Sequence, residues 1–244
     1  MNVFGIDFFK GGQAELVHAL TASAHDPFGY VVTTNVNHVV MLEHDQAFKA
    51  SYDGASYRIC DSRVLMPVLR KFNAGVPEAI PGSTLTAAMI EVAQRERWTV
   101  TVIGSTLDVL DAVAQRYPGI RFNHYNPPMG FINDPQQRAL TIDYIEQHPA
   151  ELIVFSVGSP RQEILCLQIA QRGQAKGVAL CTGAALNFLS GKVQRAPLWV
   201  QKLSLEWAHR ILSEPRRLAG RYWHDGVRIL PIVLRQFAAR REQR

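Results

Sequence analysis

Short apolar runs alternate along this chain with longer segments whose apolar positions recur every three or four residues. The runs Asn2–Asp7, Val31–Thr34, Tyr57–Asp61, Thr99–Ile103, Ile120–His124, Leu152–Val157 and Gly177–Cys181 predict strands. The periodic segments predict helices over Gln13–Ala24, about Asn37–Ser51, Ser83–Arg97, Leu107–Tyr117, Asp134–Gln147, Arg161–Arg172 and Ala184–Leu189. Ser83 or Thr84 caps the third of these, and Pro135 suits the first turn of the fifth. Between Ser62 and Pro81 the pattern weakens: Val64, Leu65, Val68 and Leu69 suggest a helix and Asn73–Pro77 a turn. Repeated βα units of this kind predict an α/β fold, a mostly parallel sheet with helices on both faces.

The alternation stops at Pro197. Beyond it only helical stretches are evident, over Leu198–Leu212, Arg216–Trp223 and Val227–Arg240, with Trp199, Trp207, Tyr222, Trp223 and Phe237 set among arginines. We therefore expect an α/β core over residues 1–195 and a helical appendage over 196–244. Charge sharpens that division. Eleven Lys/Arg face four Asp/Glu from Arg195 to Arg244, while the rest of the 244 residues carries fifteen against seventeen. A near-neutral body with a basic, aromatic tail suits an anionic partner: a membrane surface, a phosphorylated substrate or nucleic acid.

Composition adds bounds. At 47% apolar and 19% charged residues the chain is globular in type, without the marks of disorder. No apolar run reaches the roughly 18–20 residues that span a bilayer, and the first residues lack a basic leader region. A soluble or peripheral protein on the cytosolic side is expected. Cys60, Cys166 and Cys181 are scattered in apolar surroundings and read as small core residues. No Cys or His pair has metal-ligand spacing, so no metal is expected.

Several positions could carry chemistry. The runs ending at Gly104, Gly158 and Gly183 each pass through a Gly/Ser/Thr turn into a helix, a geometry that lets backbone N–H groups meet a phosphate. No complete Gly-x-Gly-x-x-Gly or P-loop is present, which argues against a Rossmann-type oxidoreductase or an NTPase. Thr33 and Asn35 close one apolar run and Asp61 closes another, which places them at the sheet edge where open α/β folds bind ligands. Asp61 reads either as the cap of the helix after it or as a carboxylate base. Gln162 and Glu163 open a helix, Glu163 as a dipole-favoured cap and Gln162 as an amide within reach of a ligand. His38 and His44, on a helix, read as structural.

Taken together these residues resemble the WecG/TagA/CpsF family of bacterial glycosyltransferases, which build lipid-linked surface polysaccharides. The resemblance rests on Thr33-Thr34-Asn35-Val36-Asn37-His38-Val39-Val40, Asp61, Pro81-Gly82-Ser83, Val157–Glu163, Gly183–Gly191, Arg195-Ala196-Pro197, Glu206-Trp207 and Glu214–Leu218, in the family's order. It implies a Rossmann-like sheet and an inverting, metal-independent transfer without a cofactor. The sugar would pass from a UDP-sugar to a polyprenyl-diphosphate-linked saccharide at the inner face of the cell membrane. It implies Asp61 as general base with Thr33 and Asn35 beside it, and Gly104, Gly158, Gln162, Gly183 and Asn187 around the donor. A basic appendage would reach the membrane and supply arginines, for which Arg210, Arg217 and Arg221 are the counterparts. A homo-oligomer is compatible with this reading, and nucleic acid is not an expected partner. The sequence departs from the family's usual pattern at Ser62, Ala79, Thr84 and Asn187.

Overall fold

The structure, a computed structural model, describes residues 2–194, 196, 197, 200, 206–213 and 215–242, without the side chains of 209, 210, 213, 217 and 239–242. The first half of the chain forms α1 (Gln13–Ala22), β1 (Gly29–Thr34), α2 (Val36–Leu42), α3 (Gln46–Asp53), β2 (Tyr57–Cys60), α4 (Met66–Lys71) and α5 (Gly82–Glu96). There follow β3 (Thr99–Gly104), α6 (Leu107–Arg116), β4 (Arg121–Tyr125), α7 (Pro135–Gln147), β5 (Leu152–Ser156), α8 (Arg161–Arg172), β6 (Val178–Cys181) and α9 (Ala185–Leu189). The tail contributes α10 (Glu206–Ser213) and α11 (Pro215–Glu242).

The six strands form one parallel sheet in the order β2-β1-β6-β5-β3-β4. All carboxyl ends therefore share one edge, and β1 lies between β2 and β6 near the middle of the site-forming half. The alternation of side chains splits the core in two. Val31, Val102, Val154 and Leu180 point to the layer of α1, α5, α6 and α9. Val32, Ile103, Phe155 and Cys181 point to the layer of α2, α3, α7 and α8. With both faces covered, the central strands need apolar side chains on both sides, which is why β1, β5 and β6 are largely apolar, while the edge strand β4 carries Arg121, Asn123 and His124.

Three expected elements differ. Asn2–Asp7 is no sheet strand: Phe4 and Gly5 take positive φ, and the segment turns back on itself through a single antiparallel bridge, Val3 to Ile6. The helix expected over Asn37–Ser51 is two helices, because the Asp45 carboxylate accepts the N–H of Phe48 and caps α3 afresh. The segments Arg216–Trp223 and Val227–Arg240 are one helix, α11, which runs through Gly226 and Pro231. Its inner face packs along α2, burying Leu218, Asp225 and Ile232, and this packing offsets the helix-breaking tendency of those two residues. The expected helix over Leu198–Leu212 lies partly outside the described residues, as does Arg195 at the expected boundary; its described remainder is α10.

Candidate active site

The carboxyl edge is assembled by the segments that leave each strand. After β2 the chain departs through α4 and then returns alongside its own departure point. Ile80 donates its N–H to the Cys60 carbonyl at 2.7 Å. Two residues later α5 begins, and the N–H of Gly82 donates to Oδ1 of Asp61 at 3.1 Å. The N–H of Asp61 in turn donates to the Thr34 carbonyl at 2.8 Å, so β1 fixes the backbone and α5 fixes the side chain. Of the two readings of Asp61, the cap is present in altered form: it caps α5, while α4, the helix directly after it, starts at Met66 without a side-chain cap. A half-buried carboxylate at the first turn of a fifteen-residue helix sits where the helix dipole favours its ionised form. It also stands at the ligand-binding edge, so capping and proton acceptance are compatible.

Thr33 is buried and donates its hydroxyl to the Cys181 carbonyl at 3.0 Å, tying β1 to β6. Its methyl group closes on α5: a Cβ at Gly82 would lie 3.3 Å from Thr33 Cγ2 and 3.1 Å from Thr182 Cγ2. Thr86 bonds both the Gly82 carbonyl and the Thr182 hydroxyl, so Gly82, Thr86 and Thr182 join the neighbourhood of Asp61. Asn35 caps α2 by accepting the N–H of His38 at 3.1 Å. His38 is structural as expected. Its Nδ1 meets the Tyr52 hydroxyl at 2.7 Å, and burial, with Arg221 nearby, pulls its pKa down to about 4.

The glycine turns converge beside this cluster. Gly104, Gly158 and Gly183 all have positive φ and lie at the ends of β3, β5 and β6, adjacent in the sheet. At Gly104 a Cβ would fall 2.7 Å from Val157 Cγ1 and 3.0 Å from the Ser156 carbonyl carbon, so two turns press together there. Gln162 is buried and spans two of the turns: its Oε1 accepts the N–H of Gly183 at 3.2 Å, and its Nε2 donates to Glu163 at 2.9 Å. Gln162 thus shapes the edge through Gly183. Glu163 is no exposed cap but fully buried, and burial pushes its carboxyl up to about 7 against the pull of the Gln162 amide. Asn187 sits half-buried on α9 and its carbonyl accepts from Val193 and Ser190.

Buried polar atoms without a partner concentrate at this edge. Among the described residues seven side chains hold one, and six of them, Thr34, Ser105, Ser156, Ser159, Arg161 and Glu163, lie on the ends of β1 and β5, in the turns after β3 and β5 or in the first turn of α8; of these, Thr34 still interacts with the Tyr52 hydroxyl and Ser159 with the Glu163 carboxyl. Buried polar groups are nearly always paired, so this concentration suits a polar ligand or ordered water. No sequence pattern announced it, since serine and threonine are ordinary turn residues.

The tail reaches the same corner. Arg221 is exposed on α11, with its guanidinium 5.6 Å from the Tyr222 ring centroid, and its charge helps keep the His38 imidazole neutral. Arg210 lies on α10 and Arg217 on α11, with side chains outside the described residues. Sequence reading missed Asp225, a buried carboxylate on α11 that accepts from the Asn37 amide at 3.1 Å. The signal was there in outline, since Asp225 is the one acid among residues 216–241.

Comparison with known proteins gives the family. The model of the glycosyl transferase WecG/TagA/CpsF family matches residues 1–243. A relative from Staphylococcus aureus (strain MRSA252), an N-acetylglucosaminyldiphosphoundecaprenol N-acetyl-beta-D-mannosaminyltransferase, is 25% identical over 245 residues, which cover 98% of this chain and 92% of the relative. With residue patterns, sheet edge and whole-chain match in agreement, the chain belongs to the WecG/TagA/CpsF family of glycosyltransferases.

Proposed function

We propose that this glycosyltransferase moves a sugar from a UDP-sugar to a saccharide linked through diphosphate to a polyprenol, with inversion at the anomeric carbon and Asp61 as general base. The observation that carries the reading is the Asp61 carboxylate held at the carboxyl edge by Gly82, beside three glycine turns and a set of unpartnered polar atoms. The acceptor hydroxyl gives its proton to Asp61 as its oxygen bonds to the anomeric carbon. The bond from that carbon to the donor diphosphate breaks, and UDP leaves with the electron pair. Its growing charge meets backbone N–H groups in the turns after β3 and β5 and the Arg221 cation. The reaction is metal-independent in this reading. The relative's name supports a diphosphoundecaprenol-linked acceptor and an N-acetylated hexosamine donor.

Membrane contact belongs to the same reading, at the inner face of the cell membrane. Among the described residues no helix is long and apolar enough to cross a bilayer. On α11, Trp223, Val227, Leu230 and Leu234 recur at spacings of four, three and four and are all exposed. At 100° per residue they form one stripe facing away from Leu218, Asp225 and Ile232, the side that packs on the core. An apolar stripe on an arginine-rich helix fits the interface of an anionic bilayer.

The test is turnover of purified protein with a diphosphoundecaprenol-linked N-acetylglucosamine and a panel of UDP-sugars, UDP-N-acetylmannosamine first. Release of UDP with an extended lipid saccharide, undiminished by EDTA, is the expected result. The absence of sugar transfer from every UDP-sugar overturns the donor class, and loss of turnover on chelation overturns metal independence.

A further inference from the structure

Glu163 and Asp225 are the two buried carboxylates among the described residues. Glu163 lies beneath the sheet edge, but Asp225 is in the tail, where the helix is otherwise largely exposed and basic. Burying an aspartate is costly unless something specific meets it. Here Asn37 does, donating from Nδ2 to Oδ1 at 3.1 Å, with His224 Nδ1 3.5 Å from the same oxygen. Asn37 stands in the first turn of α2, two residues beyond Asn35 and four beyond Thr33, so the bond fixes α11 at the corner where β1 delivers its polar residues.

Position along α11 gives this contact a further meaning. Arg221 precedes Asp225 by four residues, one helical turn, and so lies on the neighbouring stretch of the same side of the helix. Other contacts of α11 with the core lie further on: Ile232 buried within it, Arg235 paired with Glu43, Gln236 accepting from the Phe4 N–H, and Phe237 in tilted ring contact with Phe72. Those contacts hold the distal part of the helix. Among the described residues, the Asn37–Asp225 pair is the hydrogen bond from α11 to the core that lies nearest Arg221 in the chain.

We propose that Asn37 and Asp225 are positioning residues for sugar transfer, a latch that sets the Arg221 cation over the carboxyl edge. The inference rests on the glycosyl-transfer reading above. Arg221 meets the substrate's diphosphate; the latch touches no substrate and acts through Arg221.

A like-charge substitution tests it. Asn37→Asp places a second carboxylate against Asp225, yet an acid in the first turn of α2 is favourable to that helix, so the core is expected to fold. We expect kcat to fall at least ~10-fold with unchanged thermal stability of the sheet, and the exchanged pair Asn37→Asp/Asp225→Asn to recover to within ~3-fold of the parent. Hydrogen exchange over the first half of α11 is expected to quicken in Asn37→Asp and return in the exchanged pair. Arg221→Ala is expected to cost little more on the Asn37→Asp background than Asn37→Asp costs alone. Fully additive losses, an exchanged pair no better than Asn37→Asp, or an Asn37→Asp enzyme with parental kcat overturns the latch. The exchange measurement needs no sugar transfer: a parent protein that transfers no sugar overturns the function reading, while unchanged exchange in Asn37→Asp overturns the latch by itself.

Discussion

The Asp61 carboxylate and the Gly82 backbone N–H are hydrogen-bonded at 3.1 Å across a separation of twenty-one residues, so the proposed base and the first residue of α5 are one unit. That relationship lets chemistry be separated from structure. In Asp61→Asn an amide oxygen still accepts the Gly82 N–H, while the capacity to take a proton is gone. Turnover should fall about 10²–10⁴-fold, the range of general-base catalysis, with UDP-sugar affinity and melting temperature near those of the parent. Turnover and donor titration on the same preparation decide the point, and a variant with near-parental rate would remove Asp61 from its role.

Thr33 should behave differently. Its hydroxyl serves the Cys181 carbonyl and its methyl group packs toward Gly82. Thr33→Val keeps the packing and strands the carbonyl, at a cost of about 1–3 kcal/mol for an unmet buried acceptor. Urea unfolding should show that loss, and turnover should fall by less than in Asp61→Asn.

Two buried groups give opposite pH dependence. Burial raises Glu163 from 4.5 to about 7, so the folded protein holds a proton that the unfolded chain has released, and its contribution to stability is lost as pH rises between those values. Burial lowers His38 from 6.5 to about 4, so its contribution is lost as pH falls from 6.5 toward 4. Between about 4.5 and 6.5 the two slopes, each about 1.4 kcal/mol per pH unit, oppose one another. Glu163→Gln removes one of them. Relative to the parent, its unfolding free energy should climb with pH by about that slope up to pH 7, as read by denaturation at half-unit steps. A pH-independent difference would show that Glu163 is not the buried acid responsible.

The outward stripe of α11 is the membrane contact to test. Leu230→Glu with Leu234→Glu changes two exposed positions and leaves the inner face of the helix intact. Flotation with anionic vesicles should drop sharply for this variant, and binding of the parent should weaken with salt, since each basic residue near such a surface contributes about 1 kcal/mol. Unaltered flotation would place the contact elsewhere on the molecule.

Much of the core was legible because a parallel sheet covered on both faces demands apolar strands, and Val31–Thr34 and Leu152–Val157 satisfy that demand up to the small polar residues at their ends. The glycine turns were legible for a related reason, since Gly104, Gly158 and Gly183 occupy backbone conformations that other residues avoid. What pattern could not supply was partnership at a distance. Asp61 looked like a cap for the helix after it, and only the return of the chain past Cys60 puts Gly82 there instead. The N-terminal run Asn2–Asp7 has strand-like apolar residues, yet the turn at Phe4 and Gly5 takes it out of the sheet. The expected division between Arg216–Trp223 and Val227–Arg240 gives way to one helix because α11 packs along α2. Asp225 gains its meaning from Asn37, far away in sequence.

The placement of α11 against α2 also orders events in time. Domains begin to fold while the chain is still being made. All six strands precede α11 in the chain, so the sheet and Asp61 are available before the segment bearing Arg221 and Asp225 emerges. A nascent chain halted short of α11 would hold its base in place but lack the tail cation. On the proposed reading, competence for transfer would then arrive with α11, after the sheet is complete.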